Sequence, residues 1–585
     1  MDQIFLVIVA VLFILAIADL IVGVSNDAVN FLNSAIGAKV ASYTTIMVVA
    51  IAGILVGTLF SSGMMEIARS GVFYPSHFYF SEIMYIFLAV MITDILLLDT
   101  FSSFGMPTST TVSIIFELLG AAVAVAMMKT LTETGSIQGM GQYINSGKAL
   151  AIISGILLSV VLAFAFGSLV QYISRLIFTF RFHTNARYLG GLWGGFAITA
   201  ITYFMVIKGA KGASFMDAST VQYIESNALW ILLVSMAAWT LIFQLLNWAF
   251  HVDVIRITVL VGTFALAMAF AGNDLVNFIG VPLAGFEAFR IFSATPGASP
   301  DSMYMEALMH PIVTPWYMLL LAGVVMSLTL LFSRKARTVI NTSVDLSRQE
   351  DGTEKFASNA LSRSIVRSSV NTGRFIDRIL PQPVKSFMSR RFEAPAEEEM
   401  SKAKSAGISF DVIRASVNLV VASILIAMGT SMKLPLSTTY VTFMVAMGTS
   451  FADGAWGRES AVYRISGVLA VIGGWFVTAF VAFCVSFLMG WIIFKGEMIA
   501  ITGLLILTAI ILIRQQRAYL RREREAEAKK RDTSLGQSIN TNEMMERCKQ
   551  DVVLSVDTAE RLYTRILTAL YEDDRKKLRN LYGEV

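Results

Sequence analysis

Long runs of apolar residues, separated by short polar stretches, fill most of the first 513 residues of the chain. Several of these runs approach the roughly 20 residues that a helix needs to cross a bilayer. The pattern therefore predicts an all-α polytopic membrane protein with about 12 transmembrane helices. The apolar runs lie at 4–14, 43–60, 83–98, 112–128, 149–170, 189–207, 228–250, 254–271, 312–332, 412–430, 461–493 and 498–513.

Two polar segments, 333–407 and 514–585, stand apart from this pattern. Together they carry a net charge of +8, whereas the rest of the chain carries −4. Since a basic excess beside membrane spans marks the cytoplasmic side, we expect both segments to be cytoplasmic. Within the tail, apolar residues at helical spacing over 541–572 predict an amphipathic helix. The predicted domains are 1–210, the first transport repeat with its connecting helices; 228–332 with 408–513, the second transport repeat; 333–407, a cytoplasmic insertion; and 514–585, a cytoplasmic helical tail.

The composition argues against a soluble enzyme. Of 585 residues, 55% are hydrophobic and 15% are charged, against roughly a quarter charged in ordinary soluble domains. The four histidines lack the spacing of a zinc protease, and Cys484 and Cys548 provide neither a disulfide framework nor a metal-ligand pattern. We therefore expect a multi-pass protein of the inner (plasma) membrane that contacts the lipid bilayer, with no enzymatic activity, no organic cofactor and no nucleic-acid partner.

Two polar motifs occur twice, in the same order, inside the apolar stretches. The sequence Asn-Asp-x-Val-Asn-Phe occupies 26–31 and 273–278, and Pro-x-Ser-Thr-Thr occupies 107–111 and 435–439. Membrane transporters built from two repeats place their binding site between the repeats, near the bilayer midplane, and form it from broken helices. The duplication therefore predicts a transporter built from two repeats, with its site at their interface and broken helices at the midplane.

The Asn-Asp motif predicts a cation site. A carboxylate inside an apolar helix is costly, so Asp27 and Asp274 should face a polar interior and be matched by a cation or a proton. Asparagines at the preceding position and three residues later add amide oxygens, which are hard ligands suited to sodium. A buried network that only fixes helix packing is the alternative interpretation. The candidate cation-binding residues are Asn26, Asp27, Asn30, Asn273, Asp274 and Asn277, and no metal other than the alkali cation is expected.

The Pro-x-Ser-Thr-Thr motif is typical of a helix start, because proline suits the first turn and hydroxyl groups cap free backbone N–H groups. A capped helix N-terminus is the simple interpretation. Inside a membrane, two such starts would also direct unpaired N–H groups and hydroxyls at an anion. The candidate substrate-binding residues are Ser109, Thr110, Thr111, Ser437, Thr438 and Thr439.

Other acidic residues lie in or beside the apolar runs. Glu117 lies nearly two turns into the helix that follows Thr111, which favours a gating or ion-path role. Asp94 and Asp99 are predicted to lie near a membrane surface.

The two pairs of motifs, SNDAVN with GNDLVN and PTSTT with PLSTT, resemble those of the inorganic phosphate transporter (PiT, Pho-4) family. The stretch GILVGTLFSSGMMEIARSGV also resembles a family segment that contains a functionally important acid, here Glu66, followed by Arg69. The resemblance covers most of residues 1–513. It implies an inverted-repeat fold of about a dozen helices and cation-coupled uptake of phosphate, with Glu66 and Arg69 as gating or coupling residues.

The sequence departs from the family pattern at several positions. Ser25 and Gly272 stand where alanine is usual, and Val112 and Tyr440 stand where histidine is common. In the second half, Asn341 stands where an acid matching Glu66 would be sought. These departures concern the substrate and the coupling ion more than the class of protein.

Several alternatives stay open at this point. A symporter for another oxyanion, such as sulfate, and a membrane ligand sensor that signals through its cytoplasmic segments would both fit the pattern. The oxygen ligands favour sodium over a proton as the coupling ion, without deciding between them. The apolar stripe of the tail helix needs a partner, which leaves a homodimer open.

Overall fold

The fold is helical throughout the part of the chain that the structure describes. In this computed structural model, the described residues are 2–103, 108–180, 183–203, 207, 217–310, 312, 314–333, parts of 363–392, 411–453, 460–535 and 541–571. Of these residues, 87% are helical and none lies in a strand. Two compact units are present, Met1–Ile511 and Leu512–Val585. Most of the predicted insertion 333–407 lies outside the described residues.

The helices of the first part of the chain carry the first copy of each motif. They are α1 (Asp2–Asp27), α2 (Val29–Gly37), α3 (Tyr43–Leu59), α4 (Glu66–Ser70), α5 (Phe80–Ser103), α6 (Thr110–Thr134), α7 (Ser146–Ile177), α8 (His183–Thr202), α9 (Ala218–Ser226) and α10 (Ala228–Phe250).

The remaining helices carry the second copies and the tail. They are α11 (Val254–Ser293), α12 (Trp316–Phe332), α13 (Gln382–Arg391), α14 (Val412–Ser431), α15 (Thr438–Ala452), α16 (Ser460–Leu535) and α17 (Thr541–Tyr571).

Eight helices among the described residues are long and apolar enough to cross a membrane, or nine if the pair formed by α3 and 61–70, bent by 60°, is one span. The helix α12 is apolar but shorter. The prediction of an all-α polytopic membrane protein is therefore confirmed, while the count of twelve helices and the inverted orientation of the repeats stay predictions. The helix α10 exposes most of its large apolar side chains, including Leu229, Trp230 and Phe250, as a surface facing lipid would.

The first Asn-Asp motif lies where α1 meets α2, and the second lies inside α11. Ala28, between α1 and α2, keeps helical angles (φ −53°, ψ −30°), and α11 runs without interruption through the second motif. Before the second Pro-x-Ser-Thr-Thr helix, residues 432–437 join α14 to α15. The helix α16 leaves helical geometry at Glu497 (φ 43°), between the predicted apolar runs 461–493 and 498–513.

Glycines bring the backbones of three helix pairs into direct contact. A Cβ atom on Gly57 of α3 would lie 2.3 Å from the carbonyl oxygen of Met268 in α11. A Cβ on Gly448 of α15 would lie 2.4 Å from the carbonyl oxygen of Phe164 in α7, and one on Gly120 of α6 would lie 2.3 Å from that of Phe483 in α16. No side chain fits at these distances, so these three helix contacts, the glycine seams, require glycine.

A buried ion pair lies near the N-terminus of α5. Lys129 Nζ lies 2.8 Å from Glu82 Oε2 and 3.5 Å from the ring centroid of Tyr79. The hydroxyls of Tyr304 and Tyr79 lie 3.2 Å apart beside this ion pair.

Candidate functional site

The two Pro-x-Ser-Thr-Thr motifs form helix starts, as their sequence predicts. Ser109 Oγ accepts a hydrogen bond from the backbone N–H of Val112, and Ser437 Oγ accepts the equivalent bond from Tyr440, both at 3.2 Å. Both serines have extended backbone geometry and are buried. They therefore act as N-caps, while the threonines that follow are free to make other contacts.

Each buried aspartate accepts hydrogen bonds from both helix starts. Asp27, at the end of α1, accepts from Thr110 at 3.1 Å and from Thr439 at 3.3 Å. Asp274, within α11, accepts from Thr438 at 2.5 Å and from Thr111 at 2.9 Å. Both aspartates are 1% exposed or less. The predicted cation-binding and substrate-binding residues thus form one continuous cluster rather than two separate sites.

The asparagines extend this cluster. Asn26 donates to Asp27 Oδ1 at 3.0 Å and to the carbonyl oxygen of Thr108. In the second half, Asn273 donates to Asp274 Oδ1 at 2.8 Å and to the carbonyl oxygen of Leu436. Each asparagine therefore ties its aspartate to the residue before the neighbouring N-cap serine.

The second asparagine of each Asn-Asp motif makes different contacts in the two halves. Asn277 donates to Asp274 Oδ1 and to Thr111, both at 3.0 Å. Asn30 instead donates to Thr439 at 3.0 Å and to Thr438 at 3.5 Å.

The aspartate–threonine hydrogen bonds are equivalent when the two halves are exchanged. The Asp27–Thr110 bond corresponds to Asp274–Thr438, and the Asp27–Thr439 bond corresponds to Asp274–Thr111. Chemically, the cluster combines two carboxylates, amide oxygens, four threonine hydroxyls and two helix N-termini. Such a set can hold a hard cation at the carboxylates and an anion at the helix starts.

Glu66 and Arg69 lie outside this cluster, and they make separate ion pairs. Glu66 pairs with Lys433 at 2.7 Å and with Lys148 at 3.3 Å. Arg69 pairs with Glu287 at 2.9 Å and donates to the carbonyl oxygen of Ile312. The sequence analysis did not identify the lysine partners, because nothing in the local sequence indicates a contact between residues so far apart. Lys433 lies four residues before Ser437, so Glu66 is linked to the approach to the second helix start.

Loss of the Arg69–Glu287 pair should lower the free energy of unfolding more than loss of the Glu66–Lys433 pair. The Arg69–Glu287 pair is buried, so Glu287→Gln is expected to lower the free energy of unfolding by about 3 kcal/mol by leaving a buried charge unpaired. The Glu66–Lys433 pair is partly exposed, so Glu66→Gln should cost less than about 1 kcal/mol. Denaturation of the two variants in detergent micelles measures the difference, and equal losses would contradict this assignment.

Glu117 lies in a second polar group, which includes residues that the sequence analysis did not identify. Ser113 donates to Glu117 Oε1 at 2.6 Å, and Asp94 and Asp19 lie close by. Asp94 and Asp99 are both buried within the protein, at 1% and 4% exposed, and their position near a membrane surface stays a prediction. A lone aspartate in the middle of an apolar run, such as Asp19, gives no local signal of its partners.

An all-helical, multi-pass protein with a buried polar cluster at paired helix starts has the architecture of a membrane transporter. The chain belongs to the PHO4 phosphate transporter family, whose model matches residues 23–343. The matched range includes both Asn-Asp motifs and the first Pro-x-Ser-Thr-Thr motif. This family consists of transporters rather than enzymes.

Two further comparisons agree with this membership. The chain is 26% identical over 272 residues to a putative phosphate permease of Thermococcus kodakarensis, covering 45% of this chain and 63% of the relative. The fold is similar to that of a solved structure described as the sodium-dependent phosphate transporter, with a TM-score of 0.58 and 16% identity over 84% of this chain and all of that one. At this identity, the second likeness concerns the fold.

Proposed function

We propose that the chain is a secondary active symporter that takes up inorganic phosphate with a cation, sodium, by alternating access. The observation that carries the proposal is that each aspartate of the cluster accepts one hydroxyl from each helix start. A cation at the aspartates and an anion at the threonines would therefore use the same hydrogen-bonding groups. The occupancy of one site would alter the affinity of the other, which is the dependence that symport requires.

The anion is proposed to bind at the N-termini of α6 and α15. The positive ends of both helices and the threonine hydroxyls would supply hydrogen-bond donors, while the serines cap the first turns. Neither motif contains an arginine, so the ligand would be held without a strong permanent ion pair and could be released. The proposed anion-binding residues are Ser109, Thr110, Thr111, Ser437, Thr438 and Thr439.

The cation is proposed to bind at the two Asn-Asp motifs. Carboxylate and amide oxygens surrounded by hydroxyls suit sodium, whereas a proton would need only the carboxylate. The description of the structural neighbour as sodium-dependent is in keeping with this choice. The proposed cation-binding residues are Asn26, Asp27, Asn30, Asn273, Asp274 and Asn277.

Phosphate is favoured over sulfate by hydrogen-bond chemistry. Near neutral pH phosphate retains a P–OH group, which can donate to a carboxylate, whereas sulfate only accepts hydrogen bonds. Asp27 or Asp274 is the proposed acceptor for this proton. A sulfate symporter is the second candidate and is tested by the same assay.

The ion pairs around the cluster are proposed to couple its opening to transport. Glu66 would act through Lys433 at the approach to α15, and Arg69 would hold α4 against α11 through Glu287.

In this proposal, the protein lies in the inner (plasma) membrane, and its basic segments 333–407 and 514–585 face the cytoplasm.

Uptake into proteoliposomes tests the proposed function. Purified protein is reconstituted, and accumulation of labelled phosphate is measured under an inward sodium gradient, with choline replacing sodium at fixed pH as the control. We expect accumulation only with sodium and only weak competition by sulfate. Accumulation that is equal in choline would exclude sodium coupling, and phosphate binding without accumulation would favour a sensor.

A further inference from the structure

Arg175, near the end of α7, forms a buried ion-pair network that the proposed binding site does not use. Its side chain is 0% exposed and donates to Asp453 from Nε at 2.7 Å and from Nη2 at 2.9 Å. Gln171, one turn earlier on α7, donates to the same carboxylate at 2.6 Å. Arg175 Nη2 also donates to Asp411 Oδ2. One arginine therefore joins α7 to two carboxylates that follow or precede other helices.

The two carboxylates belong to different parts of the fold. Asp453 directly follows α15, which packs mainly against α7. Asp411 directly precedes α14, which packs mainly against α11, where a Cβ on Gly262 would lie 2.8 Å from Leu419 Cβ. The Arg175–Asp453 pair therefore lies within the body formed by α7 and α15. The Arg175–Asp411 pair crosses from that body to α14 and α11.

A second group of ion pairs crosses the same boundary at the other end of α7. Lys148, in the first turn of α7, and Lys433, in the connection before α15, both pair with Glu66 of α4. The helix α4 packs against α11. Lys148 and Arg175 are about 40 Å apart along α7, which approaches the full thickness of a bilayer. Ion pairs therefore join the α7–α15 body to the helices around α11 at both ends of α7.

The ion pairs that cross this boundary are the more exposed ones. The side chain of Asp453 is 0% exposed, whereas those of Asp411 and Glu66 are 21% and 27% exposed. A partly exposed pair can separate at small cost because water solvates its charges. A fully buried pair cannot, because separation leaves charges without solvent or partner. Arg175 would therefore stay with Asp453 while its contact with Asp411 forms and breaks.

We propose that Arg175 and Asp411 are positioning residues that form an inner latch of the transport cycle, opposite an outer latch formed by Glu66 with Lys148 and Lys433. The inner end of α7 is the one near Asp411, which follows the segment 333–407. The inference rests on the proposed alternating access and adds to it the residues that control opening toward the inner side. Both latches are closed in this structure, and opening toward one side would break the latch at that side only.

Thiol labelling from the inner side tests this proposal. Ser34 is a buried residue of α2, and its hydroxyl oxygen accepts a hydrogen bond from Asn418, in the second turn of α14, at 3.4 Å. It therefore lies on the inner side of the cluster. The reporter variant Ser34→Cys is made in a chain that also carries Cys484→Ala and Cys548→Ala. The measurement is the rate at which a membrane-impermeant maleimide, added to inside-out vesicles, labels this reporter chain.

Asp411→Asn in the reporter chain is expected to raise the labelling rate about fivefold, because the inner latch loses a partly exposed ion pair. Asparagine still caps α14, and Arg175 keeps its partner Asp453, so the fold should be retained. Asp411→Ser, which also caps the helix without a charge, repeats the test if Asp411→Asn does not fold.

Two further variants make the test specific. Asp253→Asn is the matched control, because Asp253 also caps a helix, α11, but pairs with Arg256 of that same helix. It should be labelled like the unchanged reporter chain. Glu66→Gln weakens the outer latch and should not raise labelling from the inner side.

The possible outcomes separate a latch from a purely structural ion pair. An unchanged labelling rate in the Asp411 variants would overturn the proposal. An equal rise in Glu66→Gln would show a general loosening of the helices and overturn it as well. Phosphate uptake by the wild type, measured in parallel, separates this inference from the proposed function. Faster labelling of Asp411→Asn in a protein that does not accumulate phosphate would support the latch and reject the phosphate symporter.

Discussion

Replacing either Asp27 or Asp274 with asparagine is expected to reduce sodium-driven phosphate uptake by about 100-fold. Each carboxylate accepts hydroxyls from both helix starts and supplies the negative charge proposed to hold sodium. Asparagine preserves the size of the side chain but removes this charge from a buried network, a loss of about 3 kcal/mol or more. Initial rates of uptake into proteoliposomes at saturating phosphate and varied sodium measure the effect.

The matched control for these variants is Asp301→Asn, which neutralises an exposed aspartate in the loop between α11 and α12. This variant should transport like wild type. Uptake within twofold of wild type in either Asp27→Asn or Asp274→Asn, with protein levels equal, would remove the aspartates from the mechanism.

The same assay with sulfate as competitor tests the selectivity argument, since loss of the carboxylate that accepts the P–OH proton should weaken the rejection of sulfate.

The variants Thr111→Val and Thr439→Val are expected to impair transport about equally, each by about tenfold. These two threonines make the contacts that cross between the halves, from α6 to Asp274 and from α15 to Asp27. Valine keeps the branched shape and removes the hydroxyl donor from a buried carboxylate. Both the apparent affinity for sodium and that for phosphate should fall, because the hydroxyls are proposed to serve both ions.

Thr132→Val is the control for the threonine variants. Thr132 lies on α6, outside the cluster, and its hydroxyl donates to the carbonyl oxygen of Met128. It should transport phosphate like wild type. A severe loss for Thr111→Val with none for Thr439→Val would show that the halves do not contribute equally, despite their equivalent hydrogen bonds.

Much of the cluster could be predicted from the sequence because its signals are local and occur twice. A proline followed by Ser-Thr-Thr specifies a helix start through its own backbone and hydroxyl chemistry, and the structure places N-caps at Ser109 and Ser437. An aspartate between two asparagines in an apolar run indicates a polar interior. The direct bonding of the threonines to the aspartates was not predicted, since it depends on how four helices from both halves meet.

The buried acids Asp94 and Asp19 lack such local signals. Asp94 lies near the end of the apolar run 83–98, and the sequence alone does not indicate that the packed helices bury it within the protein. Asp19 is a single polar residue in a long apolar stretch, and its neighbours Asp94 and Glu117 come from other helices. Contacts between distant parts of the chain, including Glu66 with Lys433, require the packed structure.

The glycine seams constrain how the cluster can open. The backbones of α15 and α7 are in contact at Gly448, and those of α6 and α16 are in contact at Gly120. Helices packed this closely cannot slide past each other without leaving voids. Any transport motion would therefore carry α15 with α7, and α6 with α16, as rigid bodies. These bodies meet α1 and α11 through threonine–aspartate hydrogen bonds, which can exchange partners at small net cost. Ions bound at the cluster would therefore lie at the interface between these bodies and the helices α1 and α11. Their presence would act directly on the relative movement of the bodies.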